Sequence, residues 1–404
     1  MSLDLNKIVH QLDEMVSSLK AGDRQRQERL QKALDTINKE TDLDTLKLRI
    51  EKSKTSFLIA GPVDGLNTKY DSIPIPQRFT VLATDGSQID VDRHQAARYY
   101  LINIGDVRLE YGDSPQAKLG NHPRLYFEDE DLMMTAPDDS LNTKMVEGTL
   151  LGLKRDAEEC AHLADIAEEC TTDNPTLALL DGSLIKWTLE RKDFGDFIID
   201  KLLVNGFLKS LERIRKKQID KDRELTIASY ISSTGSRDVI NTLKIIICPY
   251  TPVNCDKHCK QKLPGERPCD MVDGILDRDI FIRLLNAGER SAVFRNTSKI
   301  VKNYYGKHHI YFFYVKVDDE VARIEIPEWV AENKRLLELT HTLVLDQCRL
   351  GHGYPVALSE AHEQAVVTAT DKQLLDRLLE ESLARDNIST KVSAKSRSKR
   401  TRWI

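Results

Sequence analysis

The tripeptide Asp-Gly-Ser occurs twice in the chain, and each copy follows a short run of apolar residues. The first run covers residues 79–84 before Asp85, and the second covers residues 177–180 before Asp181. Short apolar runs bounded by Gly-containing turns are typical of buried β-strands. A carboxylate at the end of a buried strand points into a cleft, and the strand holds it in position. The pattern predicts an α/β protein in which the two aspartates meet.

The order of the other predicted elements is that of an RNase H-like fold. Three strands (79–84, 98–104 and 107–111, the last two joined at 105–106) are followed by a helix at 142–170 and the strand at 177–180. We expect a mixed sheet with flanking helices. Further predicted elements are a helix at 194–218, a strand at 225–231, a helix at 237–247, a hairpin at 309–326 that turns at 318–319, and helices at 329–348 and 359–384.

The chain is predicted to have three parts. Residues 1–60 form an N-terminal helical arm, in which Ile8, Leu12, Val16 and Leu19 recur at helical spacing. We expect the arm to pack against the body or a second subunit. Residues 75–385 form the main domain, with a cysteine-bearing insertion at 248–269, and residues 386–404 form a basic disordered tail.

The tail has two interpretations. It is a solubilising terminus, or its cations hold DNA phosphates and Trp403 stacks on a base or docks on a partner protein. The tail cations are Lys395, Arg397, Lys399, Arg400 and Arg402.

The overall composition says more about where the protein is located than about the reaction it carries out. The net charge of -5 is compatible with nucleic-acid binding, provided that the positive charge is concentrated along a groove. No apolar run approaches the roughly 18 residues that a membrane span requires. The polar N-terminus lacks the apolar segment of a secretory signal. We therefore expect a cytoplasmic protein with no membrane partner.

Carboxylates and one histidine form the candidate metal site. Two neighbouring carboxylates repel each other unless a cation lies between them, and Mg²⁺ and Mn²⁺ prefer such oxygen ligands. The alternative for each Asp-Gly pair is ordinary turn chemistry.

Glu159 lies on the inward stripe of its helix, either as a ligand or paired with Arg155; Glu158 and Glu147 are the alternatives. His362 lies on an inward helical face after Ser359, a predicted N-cap, and is either a ligand or a core residue.

Several motifs in a fixed order resemble the NurA nucleases. They are the two Asp-Gly-Ser segments, residues 288–294 (GERSAVF), residues 323–327 (RIEIP), and the stretch from Gly353-Tyr354-Pro355 to Glu360-Ala361-His362-Glu363. The resemblance runs from about Phe79 to Leu375, so it does not reach the arm or the tail. Each motif is weak by itself, and the ordered set is specific.

The resemblance implies an RNase H-like nuclease domain, manganese-dependent DNA cleavage (5′–3′ exonuclease and single-strand endonuclease), and a role in end resection during double-strand break repair. It also implies a homodimer that works with a HerA-type hexameric ATPase. By position the metal ligands are Asp85, Asp181 and His362, and Glu159 is the matching helix carboxylate. Two Mn²⁺ or Mg²⁺ ions about 4 Å apart would share Asp85. Arg290 is a candidate phosphate contact, or it pairs with Glu325.

Four cysteines depart from the pattern of the best-known archaeal members of that family. Cys248, Cys255, Cys259 and Cys269 have the spacing C-x6-C-x3-C-x9-C. They bind Zn²⁺, hold an iron–sulfur cluster, or remain free thiols, and His258 could replace one of them.

Two functions compete with the nuclease. The first is a catalytically silent DNA-binding or scaffolding relative that loads the ATPase, and the second is a cysteine-ligated redox or sensor protein.

Overall fold

The computed structural model describes residues 5–39, 42–92, 97–190, 194–220 and 223–388. The predicted tail cations and Trp403 lie outside the described residues. The α-helices are α1 Val9–Ile37, α2 Leu43–Glu51, α3 Asp129–Leu132, α4 Thr149–Glu169, α5 Asp196–Ile198, α6 Lys209–Asp220, α7 Asp238–Ile247, α8 Cys255–His258, α9 Asp277–Leu284, α10 Lys299–Tyr304, α11 Glu328–Ala331, α12 Lys334–Leu350, α13 Val356–Ala365 and α14 Ala369–Arg385. A π-helix, Ile199–Leu208, joins α5 to α6.

Eleven strands belong to a large mixed sheet flanked by helices, which is compatible with an RNase H-like fold. Two further strands form a separate hairpin. The strands are β1 Ala60–Pro62, β2 Lys69–Tyr70, β3 Phe79–Ile89, β4 Tyr100–Tyr111, β5 Gln116–Tyr126, β6 Met133–Ala136, β7 Asp139–Met145, β8 Thr176–Asp181, β9 Leu225–Ile231, β10 Arg290–Ser291, β11 Phe294–Asn296, β12 Ile310–Val317 and β13 Glu320–Pro327.

The chain divides into two compact units. One unit contains residues 73–230, 299–310 and 325–404. Its strand order is β9-β8-β3-β4-β5, in which β3, β4 and β5 are antiparallel neighbours and β8 and β9 run parallel to β3. Helices α4 and α13 both pack against β3 and β4. The core of this unit is apolar and includes Leu151, Leu163, Leu203 and Phe207.

The other unit contains residues 1–72, 231–298 and 311–324. Strand β11 pairs with β1 and β12, and β10 pairs with β2 and β12. Its core includes Leu30, Ala33 and Ile37 from the second half of α1. Helix α1 lies in the segment predicted as a helical arm, and its C-terminal half packs into this unit.

Two of the strand predictions were wrong at glycine residues. Residues 98–104 and 107–111 are not two strands, because β4 continues through Gly105 and Asp106 and pairs in register with both β3 and β5. Strand β3 likewise does not end at Asp85 but continues to Ile89. Gly105 and Gly86 do not turn the chain. Each lacks a side chain and so leaves space for a group of a neighbouring helix.

Two helix predictions were also wrong. The helix predicted at 142–170 begins at Thr149, because residues 139–145 form β7. The helix predicted at 359–384 is two helices, since Thr368 and Asp371 form a capping box that begins α14. Helix α13 begins at Val356 after Pro355, so Ser359 is not its N-cap. The predicted hairpin turn is confirmed: Asp318 lies between β12 and β13 with a positive φ.

No helix among the described residues is both long enough and apolar enough to span a membrane.

Candidate metal centre

Asp85 and Asp181 lie side by side on adjacent parallel strands. The register of β3 and β8 pairs Thr84 with Leu180, so the two aspartates are the next residues along each strand. Strand β8 ends at Asp181, whereas β3 continues alongside β4. Burial raises the pKa of Asp181, and the negative charge of Asp85 adds to the rise. The predicted meeting of the two carboxylates is thus observed.

The two Asp-Gly-Ser segments use their glycines differently. Gly182 has a φ of +77°, the left-handed region that favours glycine, and it turns the chain away from the end of β8. Gly86 lies inside β3, where a Cβ atom would be only 2.5 Å from Oε1 of Glu159. Gly86 therefore provides space for the Glu159 carboxylate.

The serines of the two segments also have different partners. The Ser87 hydroxyl donates a hydrogen bond to the carbonyl of Ala365, at the end of α13. The Ser183 hydroxyl donates a hydrogen bond to Glu325 over 2.8 Å, and the Leu184 N–H donates to the same oxygen over 2.9 Å. The first serine attaches α13 to the sheet, and the second stabilises the turn after β8.

His362 reaches Asp85 from α13. Its Nδ1 atom lies 2.7 Å from Oδ2 of Asp85. Its side chain is 64% exposed, so the prediction of an inward helical face was wrong, because α13 packs through Ala361 and Ala365 instead. The cross-strand partner of Asp85 is Gly105, and a Cβ atom there would lie 2.5 Å from the backbone N of Ala365 and closer still to the carbonyl of Ala361. Helix α13 can approach the sheet beside Asp85 because Gly105 has no side chain.

Glu159 is buried, as the helical pattern predicts, and it lies in a charged environment. Its Oε1 atom is 2.9 Å from Nε of Arg155, but neither atom makes a hydrogen bond with the described residues. Burial raises the pKa of Glu159, the carboxylates of Asp156 and Asp85 add to the rise, and Arg155 and Lys186 oppose it. The Arg155 guanidinium is therefore the ion-pair partner of this buried oxygen, which is the alternative that the sequence left open, and the role of Glu159 as a metal ligand stays a prediction.

The alternative glutamates have different surroundings. Glu158 accepts a hydrogen bond from the Tyr126 hydroxyl over 2.7 Å and pairs with Lys154. Glu147 precedes α4 and is half-buried. Only Glu159 among the three lies against Gly86, next to Asp85 in the chain.

Tyr354 is a site residue that the sequence analysis did not single out. Its hydroxyl donates a hydrogen bond to Asp181, and its ring packs edge-on against Tyr230 at 5.4 Å. Burial raises the pKa of Tyr354, and the charge of Asp181 adds to the rise, so the hydroxyl keeps its proton. The sequence did contain a signal for this residue, because Tyr354 lies in the Gly353-Tyr354-Pro355 motif.

The structure therefore brings Asp181 and His362 next to Asp85, and it places the Glu159 carboxylate beside the adjacent Gly86, all within one unit of the chain. Asp85 is close enough to both Glu159 and Asp181 to influence the pKa of each. Hard oxygen donors with one imidazole fit Mg²⁺ or Mn²⁺.

A comparison with known protein families identifies the family of this chain. Residues 79–367 match the NurA domain, which is well over half of the chain. This chain belongs to the NurA family. No curated protein matches it. NurA proteins are a nuclease family, and the matched segment contains Asp85, Glu159, Asp181 and His362.

Arg290, the candidate phosphate contact, lies in the other unit of this NurA protein. Its side chain is buried, and its guanidinium stacks over the ring of Tyr70 at 4.0 Å. One of its N–H groups donates to the carbonyl of Ser291 over 2.9 Å. A phosphate contact would require this buried side chain to become accessible, so that role stays a prediction.

The four clustered cysteines of the NurA chain are free thiols that lie near one another. Burial raises the pKa of Cys255 and of Cys269, and each is also influenced by Cys248 and Cys259. Three of them line a small cavity of about 150 Å³. His258 stacks on Tyr250 at a ring distance of 4.1 Å.

Another cluster of side chains in this NurA protein has three possible metal-ligand atoms close to one another among the described residues. One donor atom each from Asp106, His122 and His162 lies within 4.8 Å of the other two. These residues are 16 and 40 positions apart and share no motif, so the sequence carried no signal for them. An Asp–His–His set can hold a metal ion.

Proposed function

We propose that this NurA protein is a divalent-metal-dependent deoxyribonuclease whose metal ligands are Asp85, Asp181, Glu159 and His362. The observation that supports the proposal most directly is the placement of Asp85 between Asp181 on the neighbouring strand and His362, 2.7 Å away. Substrate and reaction follow from family membership, since the geometry describes only the ligand set.

The residues have separate roles in this proposal. Asp85 is the central ligand, and His362 binds as a neutral imidazole, because a protonated ring has no lone pair to offer. Tyr354 orients Asp181 through its hydroxyl. A bound Mn²⁺ or Mg²⁺ supplies Lewis acidity, which lowers the pKa of a water and stabilises the departing 3′ oxygen. Glu159, held against Gly86, supplies the buried carboxylate oxygen.

The test replaces Asp85 by asparagine, which keeps the size of the side chain but removes its charge. We expect Asp85→Asn to lose at least about 100-fold in Mn²⁺-dependent cleavage of linear DNA, or ~2.7 kcal/mol in the activation barrier. The matched control is Asp113→Asn, an exposed aspartate paired with Arg78. Near-normal cleavage by Asp85→Asn, with both proteins folded, would remove this site from the mechanism.

The same assay addresses the main alternative. A silent scaffolding relative would bind DNA but show no Mn²⁺-dependent cleavage in the unaltered protein. The convergence of four candidate ligands favours the enzyme, because a protein without chemistry gains nothing from the electrostatic cost of adjacent carboxylates.

We also propose the broader role that the family implies: end resection in DNA double-strand break repair, 5′–3′ and single-strand cleavage, and cooperation with a HerA-type hexameric ATPase. Adding such an ATPase with ATP should increase the rate of duplex degradation by the unaltered protein but not by Asp85→Asn. An ATPase that leaves the rate unchanged would argue against the partnership.

The proposed homodimer has a candidate contact in the N-terminal arm. Leu5, Val9, Leu12, Val16 and Leu19 recur at alternating steps of four and three residues, and their exposed fractions lie between 43 and 64%. This 4-3 spacing is that of a two-stranded coiled coil. The same stripe on a second copy is the partner that matches it.

The dimer contact predicts a change of mass in solution. A Leu12→Glu/Leu19→Glu variant should be monomeric in light scattering, because charge at seam positions cannot be buried. Ser18→Glu, on an exposed position beside the seam, is the control. A variant that remains dimeric would place the interface elsewhere.

We further propose that Cys248, Cys255, Cys259 and Cys269 bind a metal, either Zn²⁺ or an iron–sulfur cluster. Four free thiols near one another support this, since thiolates are ligands for both. Elemental analysis and visible absorption of the purified protein distinguish the two, and Cys259→Ser should lose the metal while Cys170→Ala keeps it. A colourless protein without zinc or iron would refute the site.

A further inference from the structure

The Asp106, His122 and His162 side chains form a compact group on three different elements. Nε2 of His122 lies 2.5 Å from Oδ1 of Asp106, and Nε2 of His162 lies 3.2 Å from the same oxygen. The two imidazole rings are tilted against each other with centroids 4.3 Å apart. Strands β4 and β5 and helix α4 thus contribute one donor atom each to a single point.

The spacing of these atoms is similar to that of ligands around a small ion. Ligands about 2.1 Å from a tetrahedral or octahedral ion are about 3.0–3.4 Å from one another. All three donor atoms lie within 4.8 Å of one another, and the His162 nitrogen is already at such a distance from Oδ1 of Asp106, whereas His122 would have to move outward by about 0.5 Å. Its side chain is 52% exposed, so the movement meets little resistance.

This group is separate from the Asp85–Asp181–His362 part of the candidate nuclease centre. Successive side chains along a strand point to opposite faces of the sheet. Gly105 is the cross-strand partner of Asp85, and Asp106 is the next residue, so Asp106 points away from the face that carries Asp85 and His362 and towards α4, where His162 lies one turn after Glu159.

Gly120 leaves space beside the group. It is the cross-strand partner of Asp106, and a Cβ atom there would lie 2.8 Å from Oδ1 of Asp106 and 3.3 Å from Nε2 of His122. A side chain at this position would occupy the place where an ion would sit.

The surroundings favour a cation that keeps open coordination positions. The group lies in an open cleft of about 620 Å³ that is also lined by Asp165, Glu168 and Glu169, with Lys118 as the one lining lysine among the described residues. Three protein ligands beside open space leave room for water in the remaining coordination positions.

We propose that Asp106, His122 and His162 form a second metal site, specific for a first-row transition ion such as Zn²⁺ and separate from the nuclease centre. Two imidazoles select borderline ions such as Zn²⁺ over the hard ions Mg²⁺ and Ca²⁺. The bound ion links β4, β5 and α4, and it fixes α4 one turn after Glu159. Its role is to stabilise this end of the sheet and helix.

The experiment measures Zn²⁺ and Co²⁺ binding to the chelator-treated full-length protein in a large excess of Mg²⁺. We expect His122→Ala and His162→Gln to bind one ion fewer per chain than the unaltered protein, and Gly120→Ala to bind it more weakly. Zn²⁺ should raise the melting temperature of the unaltered protein more than that of His122→Ala. His10→Ala, an exposed histidine of α1, is the matched control.

Two further measurements distinguish this site from the candidate nuclease centre and from the four clustered cysteines. Co²⁺ bound to nitrogen and oxygen lacks the intense near-ultraviolet absorption of a cobalt–thiolate site, so the lost ion is distinguishable from one at the cysteines. Asp85→Asn should retain the ion, so failure of the nuclease proposal would leave this one standing. Equal stoichiometry and affinity in the unaltered protein, His122→Ala and His162→Gln would overturn it and leave a hydrogen-bonded His–Asp–His group.

Discussion

Replacing Gly105 with alanine adds a single methyl group, which should reduce catalysis while the protein still folds. In Gly105→Ala the new Cβ atom would lie 2.5 Å from the backbone N of Ala365, and it would clash with the carbonyl of Ala361 as well. An ordinary contact requires about 3.4 Å, so α13 must move away from β4 by at least about 0.9 Å. The obstructing atoms belong to a helix backbone, which cannot rotate away as the end of a side chain could.

The cost of this displacement can be bounded. Overpacking of this kind typically costs about 1–3 kcal/mol of unfolding free energy, so the domain should still fold. His362 follows Ala361 directly and moves with the helix, which lengthens its 2.7 Å contact with Asp85. A misplacement of about 1 Å at a reacting site can lower the rate about 100-fold.

The assay compares Mn²⁺-dependent degradation of labelled linear DNA with urea unfolding of the same preparations. Gly152→Ala in α4 is the matched control, because a Cβ atom there meets nothing within 4 Å and alanine favours the helix. We expect Gly105→Ala to lose about 100-fold in cleavage while Gly152→Ala stays active. Full activity in Gly105→Ala would show that the position of α13 does not control the site.

Three further predictions test other parts of the unit. Tyr354→Phe should fold normally but cleave at least about 10-fold more slowly, because Asp181 loses a hydrogen bond worth about 1.5–3 kcal/mol to a charged group; an unchanged rate would remove the hydroxyl from the site. Gly86→Ala should displace the Glu159 carboxylate at little cost in stability, since the obstructing Oε1 ends a side chain, and retained cleavage would argue against Glu159 as a ligand. Burial lowers the pKa of His308 from 6.5 to about 4, so it is neutral in the folded protein and protonates first in the unfolded chain. The unfolding free energy should then fall by about 1.4 kcal/mol per pH unit as the pH drops from 6.5 to 4, and His308→Gln should flatten this dependence in urea titrations; an equal slope in both proteins would refute the assignment.

The parts of the site that were predictable carry local signals. Asp85 and Asp181 each follow an apolar run that folds as a strand, so their place on the sheet follows from nearby residues. Glu159 was found because helical periodicity puts it on the buried stripe of α4. The start of α14 also carried a local signal, the capping-box spacing of Thr368 and Asp371, which the single helix predicted at 359–384 missed.

The errors have a common physical cause. Gly105 and Gly86 were interpreted as turns because glycine is frequent there. Both instead lie inside strands, where the absent side chain admits a helix backbone in one case and a carboxylate in the other. The choice between these uses depends on elements more than 70 residues away along the chain, which no local pattern contains.

The sequence by itself determined the strands that lead to Asp85 and Asp181 and the helix that carries Glu159, because apolar periodicity acts over a few residues. Tertiary structure decided the rest. The parallel pairing of β3 with β8 joined Asp85 to Asp181, the approach of α13 over Gly105 added His362, and the packing of α4 against β4 and β5 assembled the Asp106 group. Each of these contacts joins residues that are distant in the chain, so only the packing of the core could bring them together.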